Sequence, residues 1–599
     1  MAIVKMKKLQ IIGLSSDKKR ILETLQTKGL VHIIPLRQAE SQEFFNLSKT
    51  MKEHLMIKKW VSSLFAKRKV ERKTDTKDPY GELMKLHIEH EKLHHNVIHI
   101  KTIFRRYLPF SYFDIDQIRK LEKRNINVQL VSIPKRKWED LKDKPEYFFV
   151  INEIAETLYI AIFTKNGDII SIPKSQEYPL PEKSLKDIED ELARTEKRII
   201  EIEEIAASYL EYFQDNKDLD NNLINAISFE EAKETSLDKE ILFAIEAWCP
   251  LKEVETVRNA LSGFKLVFME KEAEEDEQVP CLIKNPKWIQ SIYDFVKVYS
   301  LPNYWESDSS TIVLVFFIIF FGMIMSDAGY GLTLLLIMLF LRKLLSRSDF
   351  GKRFFRLSIL LSLSTITYGI LSSTFFGTTI YEYGGDFFRQ IAPFAIDIKD
   401  MASMERVMYL SIFLGVVHLT FAYIVSLRIK SILEKLTTIG WIIVLWSGFA
   451  FWWGIWPSPE TKWAAVYGKY GLIMGFSMVF LFTSSSKNIL IRILEGLYGM
   501  LGITQLFADV LSYLRLFALG LAGACLSSTF NNMGMELSRN IPYAGFILAI
   551  LLFIAGHIIN LGLSIMGGFL HGLRLNFIES YRYFFNGDGL DYKPFKYVK

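Results

Sequence analysis

The chain is 599 residues long, which exceeds one ordinary domain. Half of its residues are hydrophobic and 23% are charged, and the formal net charge of +5 is too small to argue for nucleic acid as a partner. The three cysteines (Cys249, Cys281, Cys525) are scattered, which excludes a disulfide framework and a cysteine metal spacing and suits a reducing compartment. These averages conceal two halves. Before about Ser300 the sequence is dense in Lys and Glu, whereas after about Thr311 long apolar runs dominate, with charges in short clusters between them. The first half reads as soluble and the second as membrane. Met1 to Leu14 alternates Lys with apolar residues and lacks the apolar core of a signal peptide, so the soluble half is expected to stay in the cytoplasm.

In chain order, Ile3 to Leu14 reads as a strand. Asp17 is expected to cap a helix carrying Ile21, Leu22 and Leu25, which Gly29 ends, and Leu30 to Leu36 reads as a second strand. Apolar residues then recur at helical spacing through Leu86, Leu93, Val97, Ile100, Phe104 and Tyr107, and again through Ile188, Leu192, Ile199, Ile202, Ala206 and Phe213. Such sustained spacing marks a coiled-coil seam, and two seams flanking a compact segment pair antiparallel. The segment between them holds strand-like Asn127 to Ile133 and Leu158 to Ile170, the latter with Asn166-Gly167, a dipeptide suited to a tight hairpin. Ile241 to Trp248, Leu251 to Leu261 and Lys265 to Met269 read as strand, helix and strand.

Two β-α-β units so far apart suggest one ferredoxin-like lobe closed by distant parts of the chain. The expected soluble half is therefore an α/β dumbbell of two small lobes joined by an antiparallel coiled coil. The proximal lobe takes 1–40 and 240–280, the arm about 80–110 and 183–215, and the distal lobe about 120–180. The first seam helix also carries His87, His90, His94, His95 and His99, whose spacings of three and four permit metal binding. With Lys and Glu interleaved, the reading is a solvated polar face with His90 on the seam, and neither a metal nor a cofactor is expected.

The membrane domain is expected over 301–580, with a C-terminal cytoplasmic tail over 581–599. It holds about eight transmembrane helices, roughly 311–326, 330–345, 356–376, 407–427, 438–456, 468–484, 497–530 and 542–576. Most are near the ~20 residues that cross ~30 Å of hydrocarbon. Basic loops (Arg342 to Arg356, Leu427 to Lys435, and Lys487 with Arg492) alternate with acidic or mixed ones (Ser326-Asp327, Tyr381 to Glu405, Asn531 to Asn540). That alternation obeys the positive-inside rule, and an even span count puts both termini in the cytoplasm of a multi-pass cell-membrane protein.

Arg515 sits deep in the apolar run of the seventh span, where a charge costs about 2.5–3.5 kcal/mol on insertion scales and so implies a partner or a wet cavity. In the eighth span His557, Asn560, Ser564, His571 and Arg574 share one helical stripe. Small residues in both spans, including Ala518, Gly520, Ala522, Gly562, Gly567, Gly568 and Gly572, would let the two helices approach closely. Intramembrane arginines point to ion movement. No G-x-x-x-x-G-K-[ST] phosphate loop occurs, so nucleotide chemistry is not expected in this chain.

Asp509-Val510-Leu511-Ser512-Tyr513-Leu514-Arg515-Leu516-Phe517-Ala518-Leu519 resembles the signature of the membrane subunit of rotary V-type ATPases, subunit a, called subunit I in bacterial and archaeal enzymes. Phe320 to Gly331, Lys284-Asn285-Pro286-Lys287 with Tyr299-Ser300-Leu301-Pro302, and His571-Gly572-Leu573-Arg574-Leu575 resemble further motifs of the same family. The resemblance implies a stator that forms two half-channels against a ring of proteolipid c subunits and couples proton or sodium transport to ATP hydrolysis or synthesis elsewhere in the complex. Arg515 and Arg574 would carry ion translocation. His571, Ser564, Asn560, His557, Ser512, Asp509 and Glu495 are the candidates to line or shape the path. Implied partners are the c-ring, peripheral stalk subunits at the cytoplasmic lobes, a central-stalk subunit near the ring, and the bilayer. Gly523 and Ser564 stand where many eukaryotic members carry a His and a Glu, so that acidic relay does not carry over. The alternative reading is a secondary ion transporter with a cytoplasmic regulatory arm. It lacks the internal repeat such proteins typically show and leaves the arm unexplained.

Overall fold

The computed structural model describes residues 3–65, 79–141, 144–165, 170–209, 217–379, 401–428, 430–455, 461–484, 486, 488–541 and 544–598. The chain forms two compact units, Met1–Ile34 with Asp238–Phe595, and Pro35–Leu237 with Lys596–Lys599. The first unit opens with β1 (Met6–Leu14), α1 (Lys18–Lys28) and β2 (His32–Ile34). β1 buries Leu9, Ile11 and Gly13 on one face, and Met6 on the other, where it packs with Trp248. Gly29 ends α1 in the left-handed conformation, φ 63°, its N–H donating to the Leu25 carbonyl. Asp17 does not cap α1 with its side chain. Ser15–Asp17 form a 3-10 turn from which the helix grows, and Asp17 itself is helical rather than extended, which a side-chain cap requires.

The second unit contains α2 (Gln42–Phe65), α3 (Pro79–Tyr107), β3 (Ile126–Pro134), β4 (Phe148–Ile154), β5 (Thr157–Lys165), β6 (Gln176–Tyr178), α4 (Leu185–Ser208) and α5 (Lys217–Thr235). Its sheet has the order β4-β5-β3-β6. The β4–β5 hairpin turns at Ala155 and Glu156, both with positive φ (48° and 61°), as a two-residue hairpin of the primed type demands. Neither residue type advertises that turn; Asn166-Gly167 lies outside the described residues, as does Phe213. α3 and α4 run antiparallel, bridged by Arg198–Glu89 (2.9 Å) and Lys101–Glu196 (2.7 Å). They bury Leu86, His90, Val97 and Ile100 on one helix and Ile188, Ile199 and Ile202 on the other, while Leu93, Phe104 and Leu192 are half-buried. The helices α2 and α5 were not among the expected elements. Ile57, Val61 and Leu64 of α2 pack with Leu83, Ala206 and Tyr209 in one cluster, and Asp220 of α5 pairs with His54 (2.5 Å) and Lys58 of α2.

Returning to the first unit, β7 (Leu242–Pro250), α6 (Val254–Leu261) and β8 (Leu266–Glu272) complete a sheet of order β2-β7-β1-β8 with antiparallel neighbours. Leu9 faces Ala247, and Ile11 faces both Ile245 and Phe268. This is the strand order of a ferredoxin-like lobe, assembled from two β-α-β units that the whole second unit separates in sequence.

The membrane part follows as α7 (Ser310–Met325), α8 (Ala328–Leu345), α9 (Asp349–Leu371), α10 (Met401–Ser426), α11 (Ile432–Ile455), α12 (Lys462–Phe482), α13 (Ile489–Met500), α14 (Gly502–Ser512), α15 (Leu514–Asn540) and α16 (Ala544–Arg574). Among the described residues, seven helical stretches are long and apolar enough to cross a membrane, with 489–540 taken as one, and α7 is a shorter apolar helix. The chain is a multi-pass membrane protein. The seventh span is not the single helix expected over 497–530 but the series α13, α14 and α15. After α16 the chain does not run free: Leu590–Asp591 pairs parallel with Pro280–Cys281, and the Phe595 N–H and Tyr592 hydroxyl donate to the carbonyls of Val31 and Leu30 (2.7 Å each). The C-terminal segment thus closes onto the lobe that begins the chain.

Burial pushes the thiols of Cys249 and Cys281 up to about 12, and the thiolate is the reactive form. Maleimide at neutral pH is expected to leave both unlabelled in the folded chain and to label both after denaturation, read by peptide mass spectrometry. Rapid labelling of either in the folded chain would contradict this packing.

Candidate functional site

The break between α14 and α15 falls on Tyr513. Its N–H donates to the Val510 carbonyl (3.2 Å) and its carbonyl accepts from Leu516 N–H (3.0 Å), so one turn tightens to 3-10 geometry two residues before Arg515. Tyr513 is fully buried, and its hydroxyl bonds His418 Nδ1 of α10 at 2.8 Å. The His418 ring is itself held between Phe316 (4.2 Å) and Phe320 (5.2 Å) of α7. Gly415 of α10 makes room for this: a Cβ there would lie 2.5 Å from the Tyr513 ring. Tyr513 and His418 therefore pin the backbone from which Arg515 projects.

Arg515 Nη2 lies 3.7 Å from Glu579 Oε1, and Arg574 Nε lies 3.7 Å from the same oxygen. Glu579 is only 4% exposed, Arg515 is 22% exposed and Arg574 is half-exposed. At that separation the direct attraction in each pair is of order 4 kcal/mol for an effective dielectric near 20, from which desolvation and, at half-exposed Arg574, solvent screening subtract. Two guanidinium groups share one carboxylate, so the cluster keeps a net positive charge. Sequence reasoning passed over Glu579, which follows the last apolar run and reads as a water-facing charge. A π-helical turn, Leu575–Ser580, continues α16 and turns Glu579 inward. Such turns are often found at functional sites. His571 stands one turn before Arg574, its Nδ1 buried without a protein partner among the described residues.

Two polar clusters flank the arginines along the helices. Toward the start of α14, buried Asp509 accepts from Gln505 Nε2 (2.7 Å) and the Tyr583 hydroxyl (2.6 Å), with Arg582 Nη1 at 3.7 Å. Asp509 is thus a satisfied buried hub rather than a charge in contact with water. In the other direction, Asn560 Nδ2 donates to the Tyr330 hydroxyl (3.0 Å) and to the Gly523 carbonyl (2.9 Å). Tyr330 bonds His557 Nδ1 (2.7 Å), His557 Nε2 bonds Asn531 Oδ1 (3.0 Å), and Asn531 Nδ2 donates to the Phe376 carbonyl (2.7 Å). The assignment that satisfies these groups has Tyr330 donating and His557 neutral with its proton on Nε2. It forms one continuous chain of hydrogen bonds. Asp327 anchors its surroundings by capping α8 at Tyr330 N–H (3.1 Å) and accepting the N–H groups of Phe376 (2.9 Å) and Gly377 (2.8 Å). His557 precedes Arg574 by 17 residues, about 25 Å of helix.

Of the other expected residues, Ser564 is buried and faces Gly523 of α15, where a Cβ would lie 3.5 Å from its hydroxyl. Ser512 is half-exposed and bonds its own helix at the Ala508 carbonyl (3.0 Å), and Glu495 is exposed on α13. Neither joins the clusters. The small residues let α15 and α16 approach, as Gly523 does beside Ser564, and do two further jobs. Gly520 and Gly568 fit against α7, where a Cβ would meet the Met323 carbonyl at 2.8 Å and the Phe321 ring at 2.6 Å. Gly562 has nothing within 4 Å of its Cβ position. Leu511, Ala518 and Ala522 form an exposed stripe that passes Arg515, and Gly562, Met566 and Leu570 form one that reaches Arg574.

Comparison with known proteins gives a consistent answer. The model of the V-type ATPase 116kDa subunit family matches residues 151–382 and 505–597, more than half of the chain and all of the Arg515, Arg574 and Glu579 cluster. The V-type ATP synthase subunit I of Chlamydia pneumoniae is 26% identical over 593 residues, covering 87% of this chain and 86% of that one. The V-type ATP synthase subunit I of Borreliella burgdorferi is 25% identical over 623 aligned positions, covering 100% of both chains. The A-type ATP synthase subunit I of Methanocaldococcus jannaschii is 28% identical over 388 residues, covering 59% of this chain and 55% of that one.

A double-mutant cycle with Arg515→Gln and Glu579→Gln, read by unfolding of the detergent-solubilised chain, is expected to give a coupling of about 1–2 kcal/mol. A coupling near zero would mean that the two groups do not hold each other in place.

Proposed function

The chain belongs to the V-type ATPase 116kDa subunit family, and on that premise we propose that it is the stator and ion-translocating subunit of a rotary ATPase, working against a ring of proteolipid subunits that each carry a carboxylate. The observation that carries this reading is the placement of Arg515 and Arg574 on outward stripes of α15 and α16, beside small residues, while Glu579 holds them from behind. Ala518, Ala522 and Gly562 leave a trough into which a partner helix fits closely. A carboxylate arriving there meets a fixed positive charge.

The chemistry follows from that charge. A guanidinium close to a carboxylate favours its ionised form and lowers such a pKa by about 1–3 units. The attraction, about 4 kcal/mol at 4 Å with an effective dielectric near 20, is enough to expel a proton or cation yet small enough to be left behind on rotation. An arginine does not deprotonate in a protein, so the seal between the two ion paths holds at every step, whereas a lysine would lose its charge there.

The flanking polar clusters supply the two paths. The Asp509, Tyr583 and Arg582 group lies on the side of the N-terminal lobe, onto which the C-terminal segment folds, and serves the cytoplasmic half-channel. The Asn560, Tyr330, His557 and Asn531 chain, with Ser564 between it and Arg574, serves the opposite half-channel. Ring carboxylates load from one path and discharge to the other only by passing the arginines, which ties ion flow to rotation. The ring's own site selects proton or sodium. The two lobes of the N-terminal half contact the peripheral stalk, and both termini are cytoplasmic.

ATP-driven ion uptake into vesicles containing the whole complex tests this. Arg515→Ala is expected to abolish uptake in a complex that remains assembled: losing a 4 kcal/mol interaction at the limiting step slows it by about a thousandfold. Full uptake by the intact mutant complex would remove Arg515 from this role.

A further inference from the structure

Among the described residues, His90, His94 and Glu203 form a group of metal-ligating side chains whose donor atoms all lie within 4.8 Å of one another. His90 and His94 are four residues apart on α3 and so share one face, and Glu203 comes from α4, which runs antiparallel beside it. His90 Nε2 lies 3.4 Å from Glu203 Oε1. That is long for a hydrogen bond to a carboxylate, which ordinarily closes to about 2.8 Å. It matches the edge of a zinc tetrahedron, because two ligands each about 2.05 Å from the ion stand about 3.3 Å apart. The rings of His90 and His94 are 4.5 Å apart at 65°. His90 is buried, and its ring packs against Trp60 of α2 at 5.1 Å, which holds it while His94, exposed, is free to adjust by rotamer.

We propose that His90, His94 and Glu203 bind one divalent ion of the zinc class, which cross-links α3 to α4. Two imidazole nitrogens and one carboxylate oxygen form a borderline donor set that suits zinc and leaves a fourth position for water. The open side faces solvent rather than a substrate cavity, so the ion acts as a staple. Helices that otherwise meet through apolar contacts and exposed ion pairs gain one bond set that fixes their register. This site is independent of the ion path, and the reading of the membrane half does not bear on it.

The test uses the full-length chain in detergent, stripped of metal by a chelator and titrated with Zn²⁺ against a chromogenic zinc indicator. Wild type is expected to take up one tightly held equivalent. His94→Ala, a substitution at an exposed position, should lose that equivalent or weaken it at least tenfold, and Glu203→Gln should weaken it similarly. His95→Ala, one residue away and off the site, should retain it. Equal zinc uptake by wild type and His94→Ala, or an equal loss in His95→Ala, would overturn the proposal. Circular dichroism of each variant shows whether the helices persist, so a loss of zinc without a loss of helix is assigned to the ligands.

Discussion

Glu579 stands 3.7 Å from both Arg515 and Arg574 and is almost wholly buried, and much of the membrane part is arranged around keeping that carboxylate there. Two guanidinium groups within apolar surroundings repel each other and lose hydration. One carboxylate between them relieves both costs but leaves a positive charge unspent. Arg574 is half-exposed while Arg515 is mostly buried, with its Nη1 lacking a hydrogen-bond partner among the described residues, so the cluster keeps positive charge that the one carboxylate does not answer. Removing Glu579 would leave two cations with no counter-charge, whereas removing either arginine leaves a neutral pair.

Keeping the geometry requires rigid surroundings. The π turn that brings Glu579 inward is fastened by the segment after it: buried Tyr581 bonds Ser309 (2.8 Å), and Tyr583 bonds Asp509 (2.6 Å). That segment ends on the N-terminal lobe through Tyr592 and Phe595. On the other side, the tightened turn at Tyr513 is locked by His418 between two phenylalanines. Arg515 is thus fixed by a hydroxyl–imidazole contact two residues before it and a carboxylate beside it. The small residues divide among bringing α15 and α16 together at Gly523, packing both onto α7, and leaving exposed stripes open.

The sequence carried the arginines plainly, because a charge inside an apolar run has few explanations. It carried the stripe of His557, Asn560 and Ser564 through helical period alone. Glu579 was illegible, since its burial depends on a π turn and on a returning C-terminal segment, neither of which has a local signature. Asp327 read as a loop charge because its role is to cap α8 and hold the backbone at Phe376 and Gly377, contacts made nearly fifty residues away. In the soluble half the seams of α3 and α4 were visible as periodicity. The turn at Ala155 and Glu156 was not, because strand pairing there overrides residue preference. Helix α2 gives only a weak periodic signal, because apolar residues such as Phe45, Leu55 and Met56 are exposed and blur the period.

On the proposed function, the exposed stripe that passes Arg515 faces a helix that carries a carboxylate. Disulfide formation tests it most directly. Ala522→Cys would be placed in a chain whose native Cys525 is Ser, with a second cysteine one turn from the carboxylate of the ring subunit, in the assembled complex. The expected result is a disulfide between the two subunits under mild oxidation, which stops ATP-driven ion uptake until it is reduced. Absence of any such bond in a complex shown to be assembled and active would contradict the claim.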